Sequence, residues 1–359
     1  MTDDTTRTTG ARLLVAMLTA NGIERVRAAP GAVAPDLLAA GRDGAVAVET
    51  TGDEAAAAAA ARADAAATGH PGVCAVAGRA RAIAALGGPD DDEPALLVLV
   101  RGSSEEGATP GEDLAAADAA LAARAKAVIA VERAADVPAA IDRAVALAAS
   151  GRPGAVVLRL ADAVLGETTT APATTSAAPV IETHPGAAQM WELQKRLWAA
   201  KRPMAILGGA GWSATALRRF GRFAEKFDLP VLGARRPIAT DRDDPRSVGA
   251  LGPDADPALL ARSAAADLIL AIGVAFARDR DDGDRPAPPT PHQTLVHVHP
   301  DVAELVRVRR PELAVHATVA AFAAAAEALE PPPAGVAWGL WRETARAERL
   351  ARLRTATEA

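Results

Sequence analysis

The stretch TTGDEAAAAAAARADAAATGHPGV, from Thr50 to Val73, sets a single carboxylate, Glu54, directly before seven consecutive alanines. Two readings of that acid follow from its neighbours. As a structural element, Asp53 can cap a helix, and an acid in the first turn is favoured by the helix dipole by a few tenths to about 1 kcal/mol. As a reagent, Glu54 has alanine methyls behind it for nearly two turns. Such methyls admit another backbone or a flat ligand, and by stripping water from the carboxyl they would raise its pKa so that it could hold a proton near neutrality. The residues alone leave both readings open.

Other candidates are weaker. ILGGAGWS joins an expected strand to an expected helix through Gly208, Gly209 and Gly211, where backbone amides at a helix start can meet a phosphate. The spacing is not G-x-G-x-x-G, and a plain tight turn fits equally well. His292, His297 and His299 form H-x4-H-x-H, with the last two on one face of a strand. No acid or cysteine stands beside them at a ligand spacing, so no metal ligand is assigned. Cys74 lies inside an apolar strand and reads as a small core residue. The acidic run Asp90 to Glu93 reads as a solvated loop. No nucleophile elbow occurs.

The elements that must position these residues alternate. ARLLVAMLTANG has the three-and-four apolar spacing of an amphipathic helix, and IERVRAAPG reads as a strand entering a turn at Pro30-Gly31. Helices at 34–40, within the Ala-rich stretch, at 114–125 and at 137–149 interleave with the strands AVAVE, GVCAVAG, ALLVLVRG, AVIAV and PGAVVLRL. A second alternating block runs from MWELQKRLWAAK through PMAILGG, LPVLG, DLILAIGV and TLVHVH to VAAFAAAAEAL. The expectation is two three-layer α/β/α domains with mainly parallel sheets, at 1–165 and 189–330. They are joined by a Thr-, Ala- and Pro-rich linker at 166–188 and followed by a helical tail at 331–359.

Composition removes several function classes. A net charge of −6 over 359 residues leaves no broad basic surface, so nucleic acid is not an expected partner. A single cysteine cannot form an internal disulfide. No apolar run approaches the roughly 20 residues of a membrane helix, and the start has no signal-peptide pattern, so the expectation is a cytoplasmic protein with no membrane partner. All five Phe and all five Trp lie at or after Trp191, and Tyr is absent, so the first block must fill its core with Ala, Val, Leu and Ile.

In order and spacing these motifs resemble the thiamine diphosphate-dependent decarboxylases and carboligases, with the acetolactate synthase branch closest. TGARLLVAMLTANGIERVRAAPGAVAPDLLAA is similar to that family's opening helix, strand and Pro-Gly turn. Glu54 stands fourteen residues before Thr68 of TGHPGV, much as the family's activating glutamate precedes its TG-x-PGV segment. SGRPGAVVLRLADAVL resembles the end of the pyrimidine-binding domain, and KRPMAILGGAG, DLPVLGA, ADLILAIGVAF and LVHVHPDVAEL resemble a Rossmann-like central domain. The resemblance implies that Glu54 hydrogen-bonds N1′ of the cofactor's aminopyrimidine and so promotes loss of the thiazolium proton, preparing attack on a 2-keto acid. It implies cofactor-side positions at Pro30, Gly31, Glu54, Gly78, Gly208, Gly209, Gly211 and Gly273.

The departures shape the expected role. Where relatives carry SGPG, this chain has Gly78-Arg79-Ala80-Arg81, and Arg62-Ala63-Asp64-Ala65-Ala66 replaces DGYAR. The nearest counterpart of a Phe-Gln-Glu motif is GEDL, near Glu112. Ala275 and His299 replace the central domain's flavin-handling arginine and aspartate, which argues against FAD. No Gly-Asp-Gly occurs, and the one asparagine, Asn21, lies in the first helix. The expectation is therefore one subunit of a split thiamine diphosphate enzyme, active as a homo- or hetero-oligomer with a small 2-keto acid substrate. A separate subunit would hold the diphosphate and Mg2+; Trp338, Trp341, Leu350 and Leu353 give the tail an apolar face for docking that subunit or, alternatively, for packing on its own domain. The functional alternative is a non-catalytic scaffold or regulatory relative with a degenerate cofactor site, and a third reading is that the sequence is cut before a last, diphosphate-binding domain.

Overall fold

The computed structural model describes residues 7–32, 35–86, 93–101, 113–173, 176–235, 246–252, 255–278 and 285–358. Asp90 to Asp92 and Glu112 lie outside the described residues. The chain forms two compact units, Met1–Ile181 and Glu182–Ala359.

The first unit runs β1 (Thr8–Thr9), α1 (Gly10–Ala20), β2 (Arg25–Ala28), α2 (Pro35–Asp43), β3 (Ala47–Thr50), α3 (Glu54–Thr68), β4 (Gly72–Ala77), α4 (Arg79–Leu86), β5 (Leu96–Arg101), α5 (Leu114–Arg124), β6 (Ala127–Val131), α6 (Val137–Ala149), β7 (Ala155–Leu160) and β8 (Thr168–Thr169). Six strands form one parallel sheet in the order β3-β2-β4-β5-β7-β6. The apolar runs GVCAVA and LLVLV are buried at its centre, as strands covered by helices on both faces require.

The alanine run has a packing role. Ala57, Ala58, Ala61 and Ala65 of α3 are buried. A Cβ at Gly72 would lie 1.9 Å from the Ala61 carbonyl oxygen, so α3 and β4 meet backbone to backbone. A larger residue at Gly72 could not be accommodated.

The segment expected as a linker starts as part of this unit. Thr168–Thr169 pair antiparallel with Thr8–Thr9. Asn21 Oδ1 accepts from the Ala178 amide at 2.8 Å while its Nδ2 donates to the Met17 carbonyl at 2.8 Å. Lacking hydrophobic period, this stretch is held by hydrogen bonds that composition does not reveal.

The second unit runs α7 (Ala187–Ala199), β9 (Pro203–Leu207), α8 (Ala214–Lys226), β10 (Val231–Gly233), β11 (Ser247–Ala250), α9 (Pro257–Ala265), β12 (Leu268–Ile272), β13 (Thr294–His299), α10 (Val302–Leu305), β14 (Leu313–His316), α11 (Val319–Ala326) and α12 (Gly339–Glu358). Its sheet is also parallel, in the order β11-β10-β9-β12-β13-β14. The rings that the first unit lacks gather here, with Phe220, Phe223 and Phe227 in successive contact along one face of α8. α12 packs on this same unit. The Trp338 indole is buried and donates to the Phe227 carbonyl at 2.9 Å, and Trp341 donates to that of Pro203 at 3.2 Å. Both tryptophans therefore serve their own domain, whereas Leu340 and Leu350 remain exposed. No helix among the described residues is long and apolar enough to cross a membrane.

His297 is buried in β13, its Nε2 2.8 Å from the Val274 carbonyl and its ring edge-on to Phe276. Burial pulls its pKa down from 6.5 to about 4, against the Val274 hydrogen bond and with help from His299.

Two predictions follow from this packing. The unfolded chain takes up a proton on His297 below pH 6.5 that the folded chain refuses until about pH 4, so this contribution to stability is present above 6.5 and is lost as the pH falls toward 4. Urea unfolding of the wild type should lose about 3 kcal/mol more than that of His297→Gln between pH 7 and 4; parallel losses contradict the assignment. Trp338→Ala should cost about 3–5 kcal/mol in urea unfolding of the second unit, and a change below about 1 kcal/mol would show that the Trp338 contact ahead of α12 contributes little to it.

Candidate functional site

In a parallel sheet the strands deliver their carboxyl ends to one edge, and a ligand crevice opens where the strand order reverses. In the first unit that point lies between β2 and β4, since the chain steps outward from β2 to β3 and then returns to β4 beside β2. Pro30 and Gly31 follow β2, and Gly78 follows β4. Gly31 has φ +75° and Gly78 φ +83°, and among the described residues no heavy atom lies within 4 Å of where a Cβ of either would stand. The two turns thus leave open space at the mouth of the crevice.

Glu54 stands at the same edge. Thr51 closes β3 against β2 by donating its amide to the Ala28 carbonyl at 2.8 Å. Asp53 then caps α3, its side chain accepting from the Ala56 amide at 2.7 Å, and Glu54 is the first helical residue. The dehydrated, alanine-walled carboxyl expected from the sequence is not what the fold builds. The buried alanines face the sheet while Ala55 and Ala56 are exposed, and the Glu54 side chain keeps 21% of its surface in contact with solvent. Its Oε1 accepts from Arg81 Nη1 at 3.2 Å.

Arg81 comes from the first turn of α4, directly after Gly78, so this ion pair joins the two sides of the crevice. A second arginine also bridges it. Arg101, the last residue of β5, donates from Nη2 to the Gly31 carbonyl at 3.1 Å, reaching over the end of β4. Its Nε is buried and has no hydrogen-bond partner among the described residues. Farther along the edge Asp118 is shared by Arg79 at 3.2 Å and Arg159 at 3.1 Å. Sequence reading noted Gly78-Arg79-Ala80-Arg81 as a departure but missed that Arg81 reaches Glu54. The available signal was a basic residue in the first turn of α4, which follows β4, two strands over from the β3 end that leads to Glu54.

The remaining candidates have structural environments. Cys74 is buried at the sheet centre, and burial pushes its thiol up to about 12, far from a reactive thiolate. Asp64 takes Arg27 through both oxygens at 2.6 and 2.8 Å, which holds its carboxyl below the usual range. Arg62 binds Glu93 and the Leu86 carbonyl, so the Arg62–Ala66 stretch braces α3. Among the described residues no cluster of three His, Cys, Asp or Glu side chains is arranged to hold a metal.

The second unit has an equivalent reversal between β9 and β12, flanked by Gly208, Gly209 and Gly211 on one side and Gly273 on the other. Here the glycines close on each other. A Cβ at Gly209 would lie 2.5 Å from the Gly273 carbonyl oxygen, and one at Gly273 would lie 2.3 Å from that of Gly208. Trp212 donates to the Gly208 carbonyl at 2.9 Å, and Gly211 stands against Val319. The same residue type thus serves close backbone approach in one unit and leaves open space in the other.

Comparison with known proteins agrees with this division. Residues 8–120 match the thiamine pyrophosphate enzyme N-terminal TPP binding domain, and residues 190–326 match the thiamine pyrophosphate enzyme central domain. The chain is similar to the acetolactate synthase isozyme 1 large subunit of Escherichia coli K12, with 30% identity over 190 residues, which is 51% of this chain and 32% of that protein. It is similar to the acetolactate synthase large subunit of Haemophilus influenzae, with 29% identity over 154 residues, 41% of this chain and 26% of the relative. The acetolactate synthase of Mycobacterium bovis is 28% identical over 184 residues, 50% of this chain and 29% of its own length. The matched region thus spans about a third or less of each relative. With two parallel α/β units in the order of the two matched domains, the chain belongs to the thiamine pyrophosphate enzyme family, of which it carries the N-terminal TPP binding domain and the central domain.

Proposed function

We propose that this chain supplies the pyrimidine-side half of a thiamine diphosphate site in a split 2-keto acid decarboxylase or carboligase, with Glu54 as the activating acid. The observation that carries the reading is the place of Glu54, at the carboxyl edge of the sheet beside a crevice whose two glycine turns, Gly31 and Gly78, are open. The proposed occupant of that opening is the flat aminopyrimidine of the cofactor. Glu54 presents two oxygens, and Arg81 engages Oε1. Oε2 would hydrogen-bond the ring nitrogen, or Arg81 would swing aside. That motion is cheap, because the Arg81 side chain is 56% exposed and exposed pairs are worth about 0–1 kcal/mol.

When bound, thiamine diphosphate supplies a carbon nucleophile for the keto group and an electron sink for decarboxylation. Glu54 would hold and return the proton at the ring nitrogen. The Gly31 and Gly78 backbones would bound the ring without side chains. Arg101 fixes the Gly31 carbonyl, so the turn cannot drift from the crevice. The 359 residues contain no Gly-Asp-Gly segment for the diphosphate and Mg2+. In the proposed arrangement a separate diphosphate-binding chain supplies that half of the site, within a homo- or hetero-oligomer.

One observation favours a second reading, a non-catalytic scaffold or regulatory relative. The Arg81–Glu54 pair occupies part of the acid that the cofactor would need. Turnover separates the two. For the chain co-expressed with its diphosphate-binding partner, Glu54→Gln should lower thiamine diphosphate-dependent carbon dioxide release from pyruvate by about 100- to 10 000-fold. Unchanged release would remove Glu54 from the chemistry, and no release by the wild-type pair would favour the scaffold.

A further inference from the structure

The helix that carries Glu54 meets its sheet through methyl groups. The buried residues of α3 are Ala57, Ala58, Ala61 and Ala65, and the Ala61 carbonyl lies close against Gly72 of β4. Such a contact sets the depth of the helix, but methyls make ridges too low to fix its tilt. The turn ahead of α3 is no firmer. Thr51 ties the chain to the Ala28 carbonyl, and Gly52 follows with no heavy atom among the described residues within 4 Å of where its Cβ would stand. Arg27 supplies directional contacts. It lies on β2, between β3 and β4, and its fork takes Asp64 of α3 through two bonds, Nε to Oδ2 at 2.6 Å and Nη2 to Oδ1 at 2.8 Å. Its Nη1 donates to Oε2 of Glu49 on β3. Arg25, on the same strand, stands 3.8 Å from both carboxylates. Arg62 ties α3 to the Leu86 carbonyl of α4 rather than to the sheet. Arg27 therefore holds the chain five residues before Glu54 and ten residues after it.

Resting on the reading of Glu54 as the activating acid, we propose that Arg27 is its positioning residue. By clamping Asp64 and Glu49 to β2, Arg27 sets the tilt of α3 and so the place of the Glu54 carboxylate at the crevice. The lever is short and sensitive. Glu54 lies seven residues from the Ala61 contact, about 10 Å along the helix at about 1.5 Å per residue. A tilt of about 5° about that contact moves Glu54 by about 1 Å, and a displacement of that size costs a reacting group about 100-fold in rate. A planar fork with two parallel bonds resists such a tilt, whereas a flexible ammonium would not. The clamp is also sheltered, since the Arg27 and Asp64 side chains are only 20% and 21% exposed. Small residues thus set how near the helix lies, and the ion pair sets how it points.

The test replaces the ion pair by apolar side chains of similar length, Arg27→Met/Asp64→Met, which conserves packing but not direction. Thermal unfolding of the full chain should keep its Tm within about 5 °C of wild type. A crystal structure of the same variant should show the Glu54 carboxylate displaced by about 1 Å or more and its bond to Arg81 broken. With the diphosphate-binding partner, kcat for carbon dioxide release from pyruvate should fall about 10- to 100-fold while KM changes about 2-fold or less. Asp64→Asn, which keeps the side-chain shape but loses the paired acceptors, gives the same readings if the double variant fails to fold. Glu54 standing where it does in the wild type, or an unchanged kcat, would overturn the proposal. A wild-type pair that releases no carbon dioxide would overturn the role of Glu54 and any catalytic use of the clamp, whereas the displacement seen in the crystal decides by itself whether Arg27 places the acid.

Discussion

The close approach of α3 to β4 governs the geometry of the first domain. The Ala61 carbonyl and Gly72 leave no room for a side chain between helix and strand, and the buried alanines around them let the helix lie that near. Because α3 crosses from the edge strand β3 back to β4, its first residue is carried to the carboxyl edge beside the β2–β4 reversal. Glu54 is thereby fixed where the sheet opens, and its place depends on small residues far down the helix. Substituting bulk for those alanines would lift the helix and move the acid, even though none of them faces the crevice.

Charge then determines what the crevice can hold. The first domain has no Phe, Tyr or Trp ring to offer as a stacking surface. It carries instead Arg79, Arg81, Arg101 and Arg159 along one sheet edge, with Glu54 and Asp118 as acidic partners. The second domain shows the opposite solution of the same topology. Its glycines meet backbone to backbone, and β13 beside them buries His297 with its imidazole kept neutral. Two sheets with the same parallel logic thus diverge through what stands at the reversal, open turns and cations in one, closed turns and a packed polar core in the other.

Much of this was legible from residue order. The apolar runs of β4, β5, β7, β9, β12 and β13 declare themselves as buried parallel strands, and alternation with amphipathic helices gives the layered architecture. Edge elements were not legible. β11 and β14 are four-residue strands with exposed or small residues, SVGA and LAVH, and carry no hydrophobic period. The hairpin-like pairing of Thr8–Thr9 with Thr168–Thr169 joins residues about 160 positions apart, which local pattern cannot reveal. At the site, it was the family resemblance that singled out Glu54 and the glycines as candidates. The environment of Glu54 was not legible, because it depends on Arg81, which reaches it from another helix across a strand reversal. The alanine run suggested a dehydrated acid only if the acid lay over the alanines, and the helix start places it beside them.

The measurement that bears most directly on the account is a crystal structure of this chain with a diphosphate-binding partner, thiamine diphosphate and Mg2+. The account predicts the aminopyrimidine between the Gly31 and Gly78 turns, with a Glu54 carboxylate oxygen within about 3 Å of N1′. A ring bound elsewhere, with Glu54 still paired only to Arg81, would contradict it.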